Sequence, residues 1–154
     1  MAREMRRKDR QLENGDIETV LHKATYGVLS MVDEKSQAYA VPLSFVYLGG
    51  SLYFHCATEG LKLDVVRQNP HVAFCIVGDT QVLPEQFATN YESVIVLGKA
   101  VEVKAEEKEA ALEGFIEKYS SVFREKGLAY IQKAGHATTV LKLCIEQCTG
   151  KARR

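Results

Sequence analysis

No apolar run in these 154 residues approaches the length that crosses a bilayer, and runs such as Val94 to Leu97 are the size of a single strand. The Arg- and Lys-rich start, Arg3 to Arg10, runs into polar Gln11, Glu13, Asn14 and Asp16 rather than the apolar stretch a secretion signal needs. The expectation is a soluble, cytoplasmic protein with no membrane partner. Net charge is missing too: 20 basic and 20 acidic residues cancel, so no overall field favours a nucleic-acid backbone. Any anion bound here has to be bound locally.

The four cysteines, at 56, 75, 144 and 148, form neither a CxxC pair nor a zinc-site spacing, and no export signal points to a disulfide framework. They read as reduced thiols, with Cys56 and Cys75 as small interior residues among strand formers. His22, His55, His71 and His136 are far apart in sequence, so no metal site is expected. GxGxxG, GxxxxGK[ST], GxSxG and HExxH are all absent. Dinucleotide folds, phosphate-loop hydrolases, serine hydrolases and zincins thereby lose their local evidence.

What is present reads mostly as strand. Asp16 caps a short helix through Lys23 with Ile17, Val20 and Leu21 on one face. YGVLSMV (26–32) and Gln37 to Leu48 are two β-prone segments around a polar turn, Asp33 to Ser36. Gly49-Gly50 then signals a tight hairpin into SLYFHCA. A short amphipathic helix from Leu61 ends before Asn69-Pro70, and HVAFCIVG resumes the strands. Residues 79 to 89 have no clear period and read as a loop. YESVIVLGKAVEV (91–103) is a long strand with Gly98 as its bulge. Ala105 to Lys118 is the strongest helix, with Leu112, Phe115, Ile116 and Tyr119 as its stripe, and a second helix covers Phe123 to Ala134. TTVLKLCIEQ (138–147) is the last strand, and GKARR a frayed tail. Five long antiparallel strands with helices only at the connections make one mainly β domain with peripheral helices, a small closed or split barrel.

Residues 39 to 74, YAVPLSFVYLGGSLYFHCATEGLKLDVVRQNPHVAF, followed by NYESVIVLGKAVEV, carry an ordered set of motifs: VPLSF, LYFHCA, GLK, NP and YESVIVLG. Together these resemble the pyridoxamine-phosphate-oxidase-like split β-barrels that bind flavin mononucleotide (FMN). The opening MRRKDRQL resembles the start of the nitroimidazole-resistance branch. The likeness runs from about Met5 to Val103.

The residues themselves leave several readings open. Pro42, with no amide hydrogen, suits an edge strand, whose free backbone groups can address a flat polar ring edge. Small residues after His55, with Thr58, Gly60 and Lys62, can admit a phosphate, although Lys62 alone reads as a solvated helix charge. Ser93 reads equally as a strand hydroxyl facing water, and His55 as a structural histidine.

The resemblance implies FMN as cofactor, held by Val41, Pro42, Leu43, Ser44, His55, Cys56, Ala57 and Lys62, with Tyr91 and Ser93 contributed from a second subunit of a homodimer. It also implies a function for His55, near the ring. Ser44 stands where the family usually carries Asn or a similar polar residue. The implied function is an FMN-dependent oxidoreductase acting on a small electron-poor molecule such as a nitro-aromatic. A flavin carrier without turnover, or a heme-binding protein of the same barrel class, shares these features.

Overall fold

The computed structural model describes residues 3–154. After a 3-10 turn at Lys8–Arg10 come helix α1 (Asn14–Lys23) and strands β1 (Gly27–Val32), β2 (Ala38–Leu43), β3 (Val46–Leu48) and β4 (Ser51–Cys56). Helix α2 (Leu61–Gln68) leads into the long strands β5 (His71–Leu83) and β6 (Ala88–Val103). Helices α3 (Ala105–Tyr119) and α4 (Arg124–Ala134) precede the final strand β7 (Thr139–Arg153). One sheet holds all seven strands in the order β2-β1-β5-β6-β7-β4-β3, and its pairings are antiparallel. This is the mainly β, split-barrel class expected from the sequence. Among the described residues no helix is long and apolar enough to cross a membrane.

Four expectations need correction. The segment Gln37 to Leu48 is not one strand: it breaks at Ser44-Phe45, and its halves become the two opposite edges of the sheet. The cause is tertiary. Phe45 is fully buried, and α3 supplies the backbone bonds that a strand neighbour would otherwise give. The Tyr119 hydroxyl accepts the Phe45 N–H at 3.0 Å and reaches the carbonyls of Thr25 and Phe45 at 2.7 and 2.9 Å. Lys118 Nζ donates to the Phe45 carbonyl at 2.9 Å.

Residues 79 to 83, read as loop, continue β5 beyond a register shift between Val77 and Thr80. There the Asp79 N–H finds a side-chain partner, Glu92 Oε1, at 2.9 Å. The tail is not frayed but paired, Tyr91 to Arg153 and Ser93 to Lys151, because Leu12 and Ile17 pack against Gly150 and the Leu12 N–H donates to its carbonyl at 2.9 Å. Helix α1 begins at Asn14, so Asp16 lies in its first turn and makes no cap.

The remaining elements follow the sequence pattern. Gly49 and Gly50 take φ of 55° and 80° between Leu48 and Ser51, the left-handed geometry of a tight hairpin. The expected irregularity at Gly98 is a register shift between Leu97 and Gly98. Phe45, Phe54 and Phe74 form the aromatic centre of the core, at 4.8 and 5.2 Å between rings. Helix α1 (Ile17, Val20, Leu21) and α2 (Leu63, Val65, Val66) pack into that core. On the opposite side of the sheet, Leu112 and Phe115 of α3 cover Val46, Tyr53, Val103 and Val140. Cys56 and Cys75, expected inside, are half-buried, and all four thiols are free.

Candidate functional site

Helix α3 covers only the β3, β4 and β7 end of the outer face. Across β2, β1, β5, β6 and β7 two outward rows remain bare: Pro42, Val28, Cys75, Ile95 and Thr149, and beside it Ala40, Ser30, Ala73, Leu97 and Gln147. Val32, Val77, Ile95, Leu97 and Val101 are each exposed by 39% to 49%, apolar side chains of the kind found at interaction sites. A groove of about 570 Å³ lies over part of this face, floored by the small side chains of Ser30, Ala38, Ala40 and Ala73 and bounded by His71 and Leu97.

The expected site residues fall into three places. Val41, Pro42 and Leu43 lie on the edge strand β2, with Val41 and Leu43 packed against the core and Pro42 facing out. Ser44 follows at the break, beside the Tyr119 hydroxyl.

His55, Cys56 and Lys62 come together where β4 runs into α2. Burial lowers the His55 pKa below 6.5, and the neighbouring Lys62 charge lowers it further. Burial pushes the Cys56 thiol up, with Lys62 opposing. Ala57 and Thr58 are exposed between them. No side chain caps α2, so its first amide hydrogens lie free beside Lys62, with Asp64 in the same turn. The His55 ring meets Phe115 edge-on at 4.6 Å. It also lines a cavity of about 160 Å³ with Phe115, Ile116, Tyr130 and Ile131.

Tyr91 and Ser93 are at the other end of β6. His55 pairs with Val140, which pairs with Val103, ten residues from Ser93. That is at most about 33 Å of extended strand, and it sets Ser93 toward the far end of β6 from His55.

Sequence reading missed two groups. Lys118 and Tyr119 hold the Ser44-Phe45 break, but their helical stripe reads as ordinary packing. Arg10, Lys151 and Arg153 surround Tyr91; the alternation of Lys151 and Arg153 is a strand signal hidden by their place in the tail.

An antiparallel sheet that leaves β2 and β3 as separate edges, with α1 and α2 packed into its core and one outer face bare, is a split β-barrel. A sequence profile of the family described as pyridoxamine 5'-phosphate oxidase matches residues 13–152, and the chain belongs to that family. Among solved structures, a protein from Bacteroides thetaiotaomicron named for a suspected role in 5-nitroimidazole antibiotic resistance is 24% identical, with a TM-score of 0.79 over 92% of this chain and 86% of its own. A conserved hypothetical protein from Mycobacterium tuberculosis is 13% identical, with a TM-score of 0.84 over 98% and 91% of the two chains. An FAD-binding protein from Mesorhizobium loti is 21% identical, with a TM-score of 0.68 over 94% and 98%. At these identities the likeness establishes the fold. Among curated proteins none matches.

Proposed function

We propose that this chain is a homodimeric, FMN-dependent oxidoreductase that reduces a small electron-poor molecule, nitro-aromatic compounds being the first class to test. The observation that carries the proposal is the separation of its two candidate half-sites. Lys62 with the uncapped start of α2 lies at one end of the sheet, Tyr91 and Ser93 at the other, and the face between them is bare and apolar. A second copy docked on that face by a two-fold axis would bury the patch and bring one chain's Ser93 toward the other's Lys62.

The residues fit a flavin. Lys62 and the free amides of α2 suit a phosphate, the small side chains of β1, β2 and β5 leave room for a flat ring, and the free edge of β2 at Val41 to Ser44 offers backbone groups to a polar ring edge. The flavin, when bound, supplies the hydride or electron-pair chemistry. His55, neutral near pH 7 because its pKa lies below 6.5, would orient the substrate through one ring N–H.

The visible spectrum of freshly purified protein, with sedimentation velocity on the same sample, tests this reading. Flavin bands on a dimer are expected. A Soret band would assign the chain to heme instead, and a flavin-loaded monomer would reject the shared site.

A further inference from the structure

Two glycines set how closely α4 lies against α3. At Gly127 a Cβ would sit 2.6 and 2.7 Å from the Ile116 methyls, so the helices touch there. At Gly135, just past the end of α4, a Cβ would meet only Ile131 Cγ2 at 3.7 Å and Leu112 Cδ1 at 3.8 Å, which are ordinary contact distances. Both of those side chains line the cavity of about 160 Å³ that ends at His55, so a side chain placed at Gly135 would point into it. The inner wall is buried, through Leu112 and Phe115 of α3. The outer wall is not: α4 has no fully buried residue, and Tyr130 is exposed. A helix held by so few buried contacts opens at low cost, which gives a ligand its way in from the α4 side.

The lining decides what fits. It contains no Asp, Glu, Lys or Arg, so a charged ligand would lose its water and find no partner. The Thr138 hydroxyl is already engaged, donating to the Ala134 carbonyl at 3.3 Å. That leaves the His55 ring, which meets Phe115 edge-on. Burial and the Lys62 charge keep it neutral, and among the described residues no hydrogen bond engages it. A water held in such a space needs about two to four polar partners, which one imidazole does not supply, whereas an apolar cavity of about 150 Å³ accepts a benzene-sized ring. Folded interiors keep few voids larger than a water molecule. A void of this size, apolar except for one free imidazole, is therefore a ligand cavity rather than a packing remnant.

We infer that the cavity between α3, α4 and His55 binds an uncharged molecule of one aromatic ring whose single polar substituent hydrogen-bonds the His55 imidazole. Phe115 and Tyr130 offer aromatic surface to the ring. Neutral imidazole has one donor and one acceptor nitrogen, so a hydroxyl suits it in either tautomer. His55 also borders the Lys62 turn, but a ligand in this cavity reaches the imidazole from the α3 and α4 side. The site is complete within one chain and does not rest on the flavin reading.

Calorimetric titration of the full-length protein with phenol tests this, with toluene and benzoate as comparison ligands and NMR of labelled isoleucine methyls to locate the ring. Saturable phenol binding is expected, with cross-peaks from its ring to the methyls of Ile116 and Ile131, and benzoate should bind at least about tenfold more weakly. His55→Phe keeps a ring in place and should weaken phenol about fivefold without weakening toluene. Gly135 has an ordinary helical φ of −59°, so Gly135→Leu fills the cavity without backbone strain and should abolish binding without lowering the melting temperature. If that variant does not fold, Gly135→Ala, whose Cβ meets only ordinary contacts, should still weaken phenol by about threefold. Cross-peaks to Ile95 instead would put the ring on the bare sheet face and overturn the assignment. Benzoate binding as tightly as phenol would overturn the uncharged class, and equal losses of phenol and toluene in His55→Phe would overturn the hydrogen bond. Absence of saturation, or unchanged affinity in the Gly135 variants, would reject the site outright.

Discussion

Replacing Gly98 by Ala should strongly destabilise the protein. Gly98 is buried on the inner face of β6 at the point where the register with β7 shifts, and a Cβ there would sit 2.0 Å from the Cys144 carbonyl oxygen and 2.9 Å from Leu143 Cδ2. Ordinary contact begins at 3.4 Å, so the two strands would have to part by 3.4 minus 2.0, or 1.4 Å. A ladder bond of about 2.9 Å stretched by that amount is lost, at about 1 kcal/mol each. Overpacking adds about 1–3 kcal/mol, and the lower chain entropy of Ala returns only about 0.5–1 kcal/mol. The net loss should be about 2 kcal/mol, a fall in melting temperature of about 4–8 °C for a chain of this size. Urea unfolding followed by circular dichroism measures it. Gly114→Ala is the control, because its Cβ meets only the flexible end of Leu48, at 2.7 Å, and Ala favours the helix by about 1 kcal/mol. If Gly98→Ala unfolds within about 0.5 kcal/mol of wild type, as ordinary surface substitutions do, the strand crossing is misread.

Burial brings the Lys118 pKa down from 10.5 to about 8, so the charged form is disfavoured on folding. Stability should be lowest below pH 8 and recover as pH rises toward 10.5, and Lys118→Met should remove that rise. The full shift corresponds to about 3 kcal/mol, reduced to about 1–2 kcal/mol by solvent at the partly exposed ammonium; urea midpoints from pH 7 to 10 would show it. Tyr119→Phe leaves the buried backbone of Phe45 short of a partner and should cost about 1–3 kcal/mol in the same assay. For chemistry, stopped-flow reoxidation of reduced flavin by a nitroimidazole should slow in His55→Ala. The His55-dependent part should be flat from pH 7 to 8 and change only below pH 6.5; a nitro compound that adds nothing to reoxidation by oxygen would favour the carrier reading.

Local signals in the sequence reach as far as local causes do. Gly49-Gly50, the α3 stripe and the Gly98 irregularity depend on neighbours along the chain, and each lies where the pattern puts it. The break at Ser44-Phe45 depends on Tyr119 and Lys118, more than seventy residues away, so a run of strand formers from Gln37 to Leu48 gives no hint of it. The same holds for the paired tail, fixed by Leu12 and Ile17 against Gly150. At the candidate site, residues adjacent in sequence, His55 to Lys62, could be grouped from the sequence. The cationic surroundings of Tyr91 could not, because they join the first turn of the chain to its last strand.

The central claim, a flavin site completed by two chains, is tested most directly by complementation. Lys62→Ala should weaken FMN by about 1.5–3 kcal/mol while leaving riboflavin unchanged, and Ser93→Trp should block the partner's ring position. A heterodimer of the two variants carries both lesions in one site and none in the other. It should therefore recover one FMN site of wild-type affinity per dimer by fluorescence titration. If the mixed dimer binds no better than either parent variant, Lys62 and Ser93 do not serve a shared site and the proposal is contradicted.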